Sequence, residues 1–217
     1  ICLGVVGFAA LFVTFHDKFL KTRVNFPAYS EIFTPIQWVV VAIFGYMAIW
    51  TALPKSSDIF IDIPILGTIS ASNQAVFQMF ILVLFTYFAV NAHDLPEGIY
   101  DYDGDKKEGV RTYATSFGIK NASRISFFMF FISGVFAFVL YYRTNLSVIF
   151  LSLFIIIWFY ILSQSYRLLK ANEKNIKNIS KHVGRRGYDY FLFSYNIIFL
   201  DLLIQIILNQ YNIVIPF

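Results

Sequence analysis

The residues best equipped for chemistry lie close together. Asp94, Asp101 and Asp105, followed by Lys106, Lys107 and Arg111, fall inside a polar block from His93 to Thr112. Glu97, Asp103 and Glu108 belong to the same block, in a chain that has 13 acidic residues and is 58% hydrophobic. On one continuous helix turning about 100° per residue, Asp101 and Asp105 each lie within about 20° of Asp94, and Asp103 faces the opposite way. Pro96 and Gly104 count against that regularity, because Pro lacks an amide donor and Gly is a poor interior helix residue. A one-sided carboxylate stripe beside Lys and Arg has a definite use. Mg²⁺ takes a few carboxylate oxygens together with substrate phosphate oxygens and keeps several waters, so it needs no complete protein cage. Asp101 and Asp105, four residues apart, are the expected metal ligands, with Asp94 as a supporting catalytic carboxylate. Lys106, Lys107 and Arg111 are the expected diphosphate-binding cations, Arg through its planar fork.

The elements that must position these groups are membrane spans. Only 14% of the 217 residues are charged, against about 25% in soluble domains, and repeated apolar runs of about 18 residues call for a bilayer. We read one integral domain over residues 1–217, an all-α, multi-pass transmembrane helical bundle with six spans: a short first run at 1–15, then 36–53, 75–92, 125–142, 146–162 and 190–208. The third runs directly into the polar block. A basic loop is expected at 167–186, and a semi-apolar stretch at 59–69 suits the membrane interface. The lone Cys2 has no internal disulfide partner. The start at Ile1, inside an apolar run, reads as a chain lacking its N-terminal part. A diphosphate site beside a greasy interior suits a substrate with a diphosphate head and a hydrocarbon tail.

Six spans divide the loops into two sets. The first, third and fifth hold fifteen of the 17 Lys and Arg residues, leaving Lys55 and Arg143 for the other side. By the positive-inside tendency the polar block faces the cytoplasm, or the equivalent side of an organelle inner membrane.

The run Asp101-Tyr102-Asp103-Gly104-Asp105-Lys106-Lys107-Glu108-Gly109-Val110-Arg111-Thr112, continuing to Gly118, resembles the second aspartate-rich motif of the UbiA superfamily of intramembrane prenyltransferases, D-x-x-x-D-x-x-x-G-x-[KR]-[ST]. Asp94, seven residues earlier, matches an acidic position common in that family, and Tyr29-Ser30 with Pro35 is similar to the start of its fifth span. The resemblance implies nine helical spans around a lipid-accessible cavity, two aspartate-rich motifs holding Mg²⁺ and a polyprenyl diphosphate, and transfer of the prenyl group to a lipophilic acceptor, with a quinone precursor or ether-lipid precursor favoured. The other motif, N-D-x-x-D-x-x-x-D, does not occur in these residues; span counting assigns it to a preceding N-terminal third. Tyr113-Ala114 stands where Leu-Pro is common, which leaves the acceptor open.

Plainer readings apply elsewhere. Asp103 and Glu108 suit a solvated loop, His93 an interfacial polar position, Asp201 a polar contact between packed helices, and the basic run a face for lipid headgroups of the bilayer. Nothing calls for a nucleic-acid partner. Two other functions compete with prenyl transfer: a cation-binding membrane transporter, and a lipid diphosphate phosphatase or headgroup transferase.

Overall fold

Long apolar runs in lipid must satisfy their own backbone groups, which a helix does within one segment. The computed structural model describes residues 2–52, 59–63, 67–71 and 73–210. Its helices are α1 (Cys2–Phe15), α2 (Tyr29–Phe33), α3 (Pro35–Ala52), α4 (Asn73–Tyr100), α5 (Tyr102–Glu108), α6 (Tyr113–Phe117), α7 (Ile119–Arg143), α8 (Val148–Leu169) and α9 (Ile176–Gln210), with a π-helical turn at His16–Leu20. Strands β1 (Ile59–Ile63) and β2 (Gly67–Ala71) form a small antiparallel hairpin, Ile61 opposite Ile69, at the stretch expected to be interfacial.

The protein is an all-α, multi-pass bundle apart from that hairpin. Among the described residues, five segments are long and apolar enough to cross a membrane: Tyr29–Met47, Gln74–Tyr100, Ile119–Arg143, Val148–Leu169 and Ile176–Leu208. The first expected span is α1, with 14 residues, short as its sequence suggests. The basic stretch at 167–186 departs from expectation. Most of it is helix, because Ile176, Ser180, Val183 and Tyr190 recur at helical spacing and are buried, while Lys181, Arg185 and Arg186 stay exposed. The resulting α9 has 35 residues. At about 1.5 Å per residue it far exceeds an apolar core about 30 Å thick, long enough to carry its basic first turns beyond such a core.

Helix α4 is the hub, packed on α7 and α9. At the centre, Tyr190 of α9 meets Phe85 of α4, Phe130 of α7 and Phe154 of α8, with ring centroids 6.5, 5.8 and 6.1 Å away. Its hydroxyl pairs with Ser133 at 3.0 Å. Pro96 lies inside α4 and has no amide hydrogen for the carbonyl of Ala92, four residues back. Ser126 of α7 takes that place, its hydroxyl donating to the Ala92 oxygen at 2.8 Å. The helix therefore continues through Pro96 and carries the first part of the acidic block on a rigid element.

At one end of the bundle, Gln78 donates to the Arg143 carbonyl and Gln205 to the Asn145 carbonyl. Asp201 accepts from the Ser147 and Phe150 amides at 2.8 and 3.3 Å and from the Ser147 hydroxyl. It caps the start of α8, which is the expected polar contact between helices. The acidic block lies at the opposite end.

Candidate active site

Where α4 gives way to α5, an open cleft of about 510 Å³ is lined by Tyr100, Asp101, Asp103, Gly104, Asp105, Glu108 and Lys177. Asp101 forms the joint. With φ −88° and ψ 7° it leaves helical geometry, yet its N–H donates to the Glu97 carbonyl at 2.9 Å and its own carbonyl accepts from the Asp105 amide at 3.0 Å. The single continuous helix from Asp94 to Asp105 is thus not observed. The chain bends at Asp101, where the acidic run approaches Gly104, and Asp101 and Asp105 turn into a common cleft by way of a short second helix.

The two glycines of the motif explain themselves in the backbone. Gly109 has φ +76° and Gly118 φ +87°, a region costly for a residue with a Cβ. Gly109 ends α5 by donating to the Asp105 carbonyl, a left-handed cap. Thr112 starts α6: its hydroxyl accepts from the Thr115 amide at 3.1 Å, and the Thr115 hydroxyl accepts from the Thr112 amide at 2.8 Å. These two residues close a reciprocal capping box, so the motif Thr shapes the backbone behind the cleft.

Segment 28–31 clamps that backbone from the side. Ser30 N–H donates to the Arg111 carbonyl at 3.0 Å, and the Ser116 hydroxyl accepts from the Ala28 amide at 2.9 Å. Glu31, 4% exposed, accepts from the Tyr113 amide, while Asn91 holds the Glu31 carbonyl at 3.0 Å. Its other carboxylate oxygen points at Gly98, where a Cβ would collide with it. Glu31 escapes a reading based on the polar block alone. Its signal is an acidic residue at the start of an apolar span, which is costly unless it has partners.

Charge converges on the cleft from three loops. Burial pushes the Asp105 carboxyl up to about 6, Asp101 and Glu108 add to the rise, and Lys21 of the first loop opposes it. From α9, Lys177 pairs with Asp103, and Lys181 lies over the Tyr100 ring, 5.0 Å from its centroid. Lys177 is a cleft residue that the sequence hides within a longer basic run.

Of the expected site residues, Asp101 and Asp105 come together in the cleft. Asp94 is not among the lining residues; it groups with His93 and Glu97 on α4. Lys106, Lys107 and Arg111 are exposed and also outside the lining, Lys106 lying 5.7 Å from the centroid of the Tyr102 ring. The cleft offers only carboxylate oxygens as anionic donors and is open to water, which suits Mg²⁺ with most of its hydration retained.

A family model described as the UbiA prenyltransferase family matches residues 1–183. No curated protein and no solved structure matches the chain.

Proposed function

Because the chain belongs to the UbiA prenyltransferase family, whose activity is prenyl transfer to lipophilic acceptors in a membrane, we propose that it takes a polyprenyl diphosphate and binds the diphosphate at the Asp101–Asp105 cleft with Mg²⁺. One observation carries the reading: Asp101, Asp105 and Lys177 line one cleft at the end of a helix long and apolar enough to cross a membrane. Asp101 and Asp105 would hold Mg²⁺ between them. The bound ion supplies Lewis-acid neutralisation of charge that develops on the departing diphosphate. Lys177 stands ready to exchange its pairing with Asp103 for a phosphate oxygen, and Lys106, Lys107 and Arg111 reach the same anion from α5 and the loop after it. Asp94, on α4, lies outside the lining of the cleft.

In the transfer itself, the bond between C1 of the prenyl chain and the diphosphate oxygen breaks, and diphosphate leaves with the bonding electrons. A nucleophilic atom of the acceptor forms the new bond to C1 and gives up its proton. The apolar interior keeps water from the allylic cation, and its aromatic faces favour positive charge. A quinone precursor or an ether-lipid precursor is the favoured acceptor. This cleft is one of the two acidic motifs that the reaction needs in this family.

Product analysis with the full-length protein tests the reading. Intact inorganic diphosphate and an alkylated acceptor are expected, and turnover should fall at least about 100-fold in Asp101→Ala and Asp105→Ala, given that even outer partners of a metal site are worth about 10–100-fold. Release of single phosphate without alkylation, or near-normal turnover in both variants, would overturn it.

A further inference from the structure

The structure assigns a second cation site, distinct from the acidic cleft and suited to a first-row transition ion, to His93, Asp94 and Glu97. These residues occupy positions i, i+1 and i+4 of α4, so His93 and Glu97 share a face and Asp94 adjoins them. One donor atom from each lies within 4.8 Å of the other two, and this is the group of three that stands out among the described residues.

An acidic pair alone would carry little weight; the histidine changes that. His93 is 5% exposed. Its Nδ1 stands 3.3 Å from the Asp94 Oδ1, yet neither ring nitrogen makes a hydrogen bond, and Asp94 Oδ2 has no partner either. Buried polar atoms are nearly always satisfied, and each exception calls for a reason. A cation among the three side chains supplies one, since it would accept a ring lone pair and a carboxylate oxygen together.

The surroundings hold the group in place. Tyr188 meets the imidazole edge-on at 5.4 Å, and Phe191 tilts against it at 6.4 Å. On α9, two glycines leave the required space: a Cβ at Gly187 would stand 2.6 Å from the His93 Cβ, and one at Gly184 would stand 2.8 Å from the Glu97 Cγ. Glu97 itself is exposed, which gives an ion a way in from water.

The donor set decides the kind of ion. One imidazole nitrogen with two carboxylates suits Zn²⁺, Co²⁺, Fe²⁺ or Mn²⁺, whereas Mg²⁺ prefers oxygen donors and gains little from imidazole. The site therefore separates by chemistry from the oxygen-only cleft above it, and the inference stands whether or not the cleft binds diphosphate.

The test is a Co²⁺ titration of the full-length protein, stripped with chelator and kept in excess Mg²⁺, followed by visible ligand-field absorption. Stoichiometric binding is expected, weakened about 10–100-fold in Glu97→Gln and in His93→Asn and retained in the Asp101→Asn/Asp105→Asn double variant. Glu97 is exposed, so Glu97→Gln remains informative if His93→Asn fails to fold. No binding, displacement by Mg²⁺, indifference to Glu97→Gln, or loss in the cleft double variant would each overturn the site.

Discussion

At the scale of single residues, Asp105 shows how the fold tunes a carboxyl for reversible ion binding. Burial and the neighbouring Asp101 raise its pKa to about 6, against an ordinary value near 3.8. A carboxyl that is harder to ionise in the folded chain favours folding at acidic pH, and this contribution is lost as pH rises through about 6. The metal-free protein should therefore tolerate mild acid better than an Asp105→Asn variant relative to neutral pH, and thermal unfolding at pH 5 and 7 measures the difference. Ion binding runs the other way, because Mg²⁺ must displace the proton. Below pH 6 the apparent Mg²⁺ affinity should fall about tenfold per pH unit, and the dependence should flatten in Asp105→Asn; an unchanged slope in that variant would assign the proton to another group. Carboxylate spacing, a covalent fact, singles out Asp94, Asp101 and Asp105 in the sequence, and of the three Asp101 and Asp105 line the cleft. Glu31 is harder to single out, because its one sequence signal is an acidic residue at the start of an apolar span and its partner, the Tyr113 amide, is 82 residues away in the chain.

At the scale of elements, the informative junction is α4 with α7. Pro96 looks in the sequence like a helix stop, and the apolar run does end near Ala92; yet α4 continues to Tyr100. The reason lies on another helix, where Ser126 supplies the hydrogen bond that Pro96 cannot make, and no local reading of the block contains it. Ala92 and Ser126 are both fully buried, so Ser126→Ala should cost about 1–3 kcal/mol by stranding the carbonyl. The same change in a Pro96→Ala background should cost less, because the new amide can bond the Ala92 carbonyl along the helix. A double-mutant cycle on unfolding in detergent reads the coupling, and additive effects would show that Ser126 does not stand in for the missing amide. Helical spacing sets Asp101 and Asp105 four residues apart, and both line one cleft although the helix breaks at Asp101.

At the scale of the whole molecule, charge counting groups the first, third and fifth expected loops on one side, and Lys21, Asp105 and, from the start of α9, Lys177 influence one cleft. The length of α9 was not legible, since its basic first turns read as loop until Ile176, Ser180 and Val183 are seen to form a buried stripe. That extension brings Lys177 over the cleft. Loss of its charge in Lys177→Ala should raise the KM for a polyprenyl diphosphate about tenfold with the chain still folded, the size of one charge-assisted hydrogen bond. The side of the membrane follows from a separate argument. Fifteen basic residues on one set of loops, against Lys55 and Arg143 on the other, lead us to propose that the cleft lies on the cytoplasmic or equivalent face, because basic loops resist translocation. Lys107 and Arg143 are both exposed and sit on opposite sets of loops, so they serve as reporters. In a Cys2→Ser background, Lys107→Cys should react with an impermeant maleimide from the cytoplasmic face of sealed vesicles, and Arg143→Cys from the other face. Reaction of both from one face would break the alternation on which the convergence of the three loops rests, and the reverse pattern would invert the bundle while leaving the cleft intact.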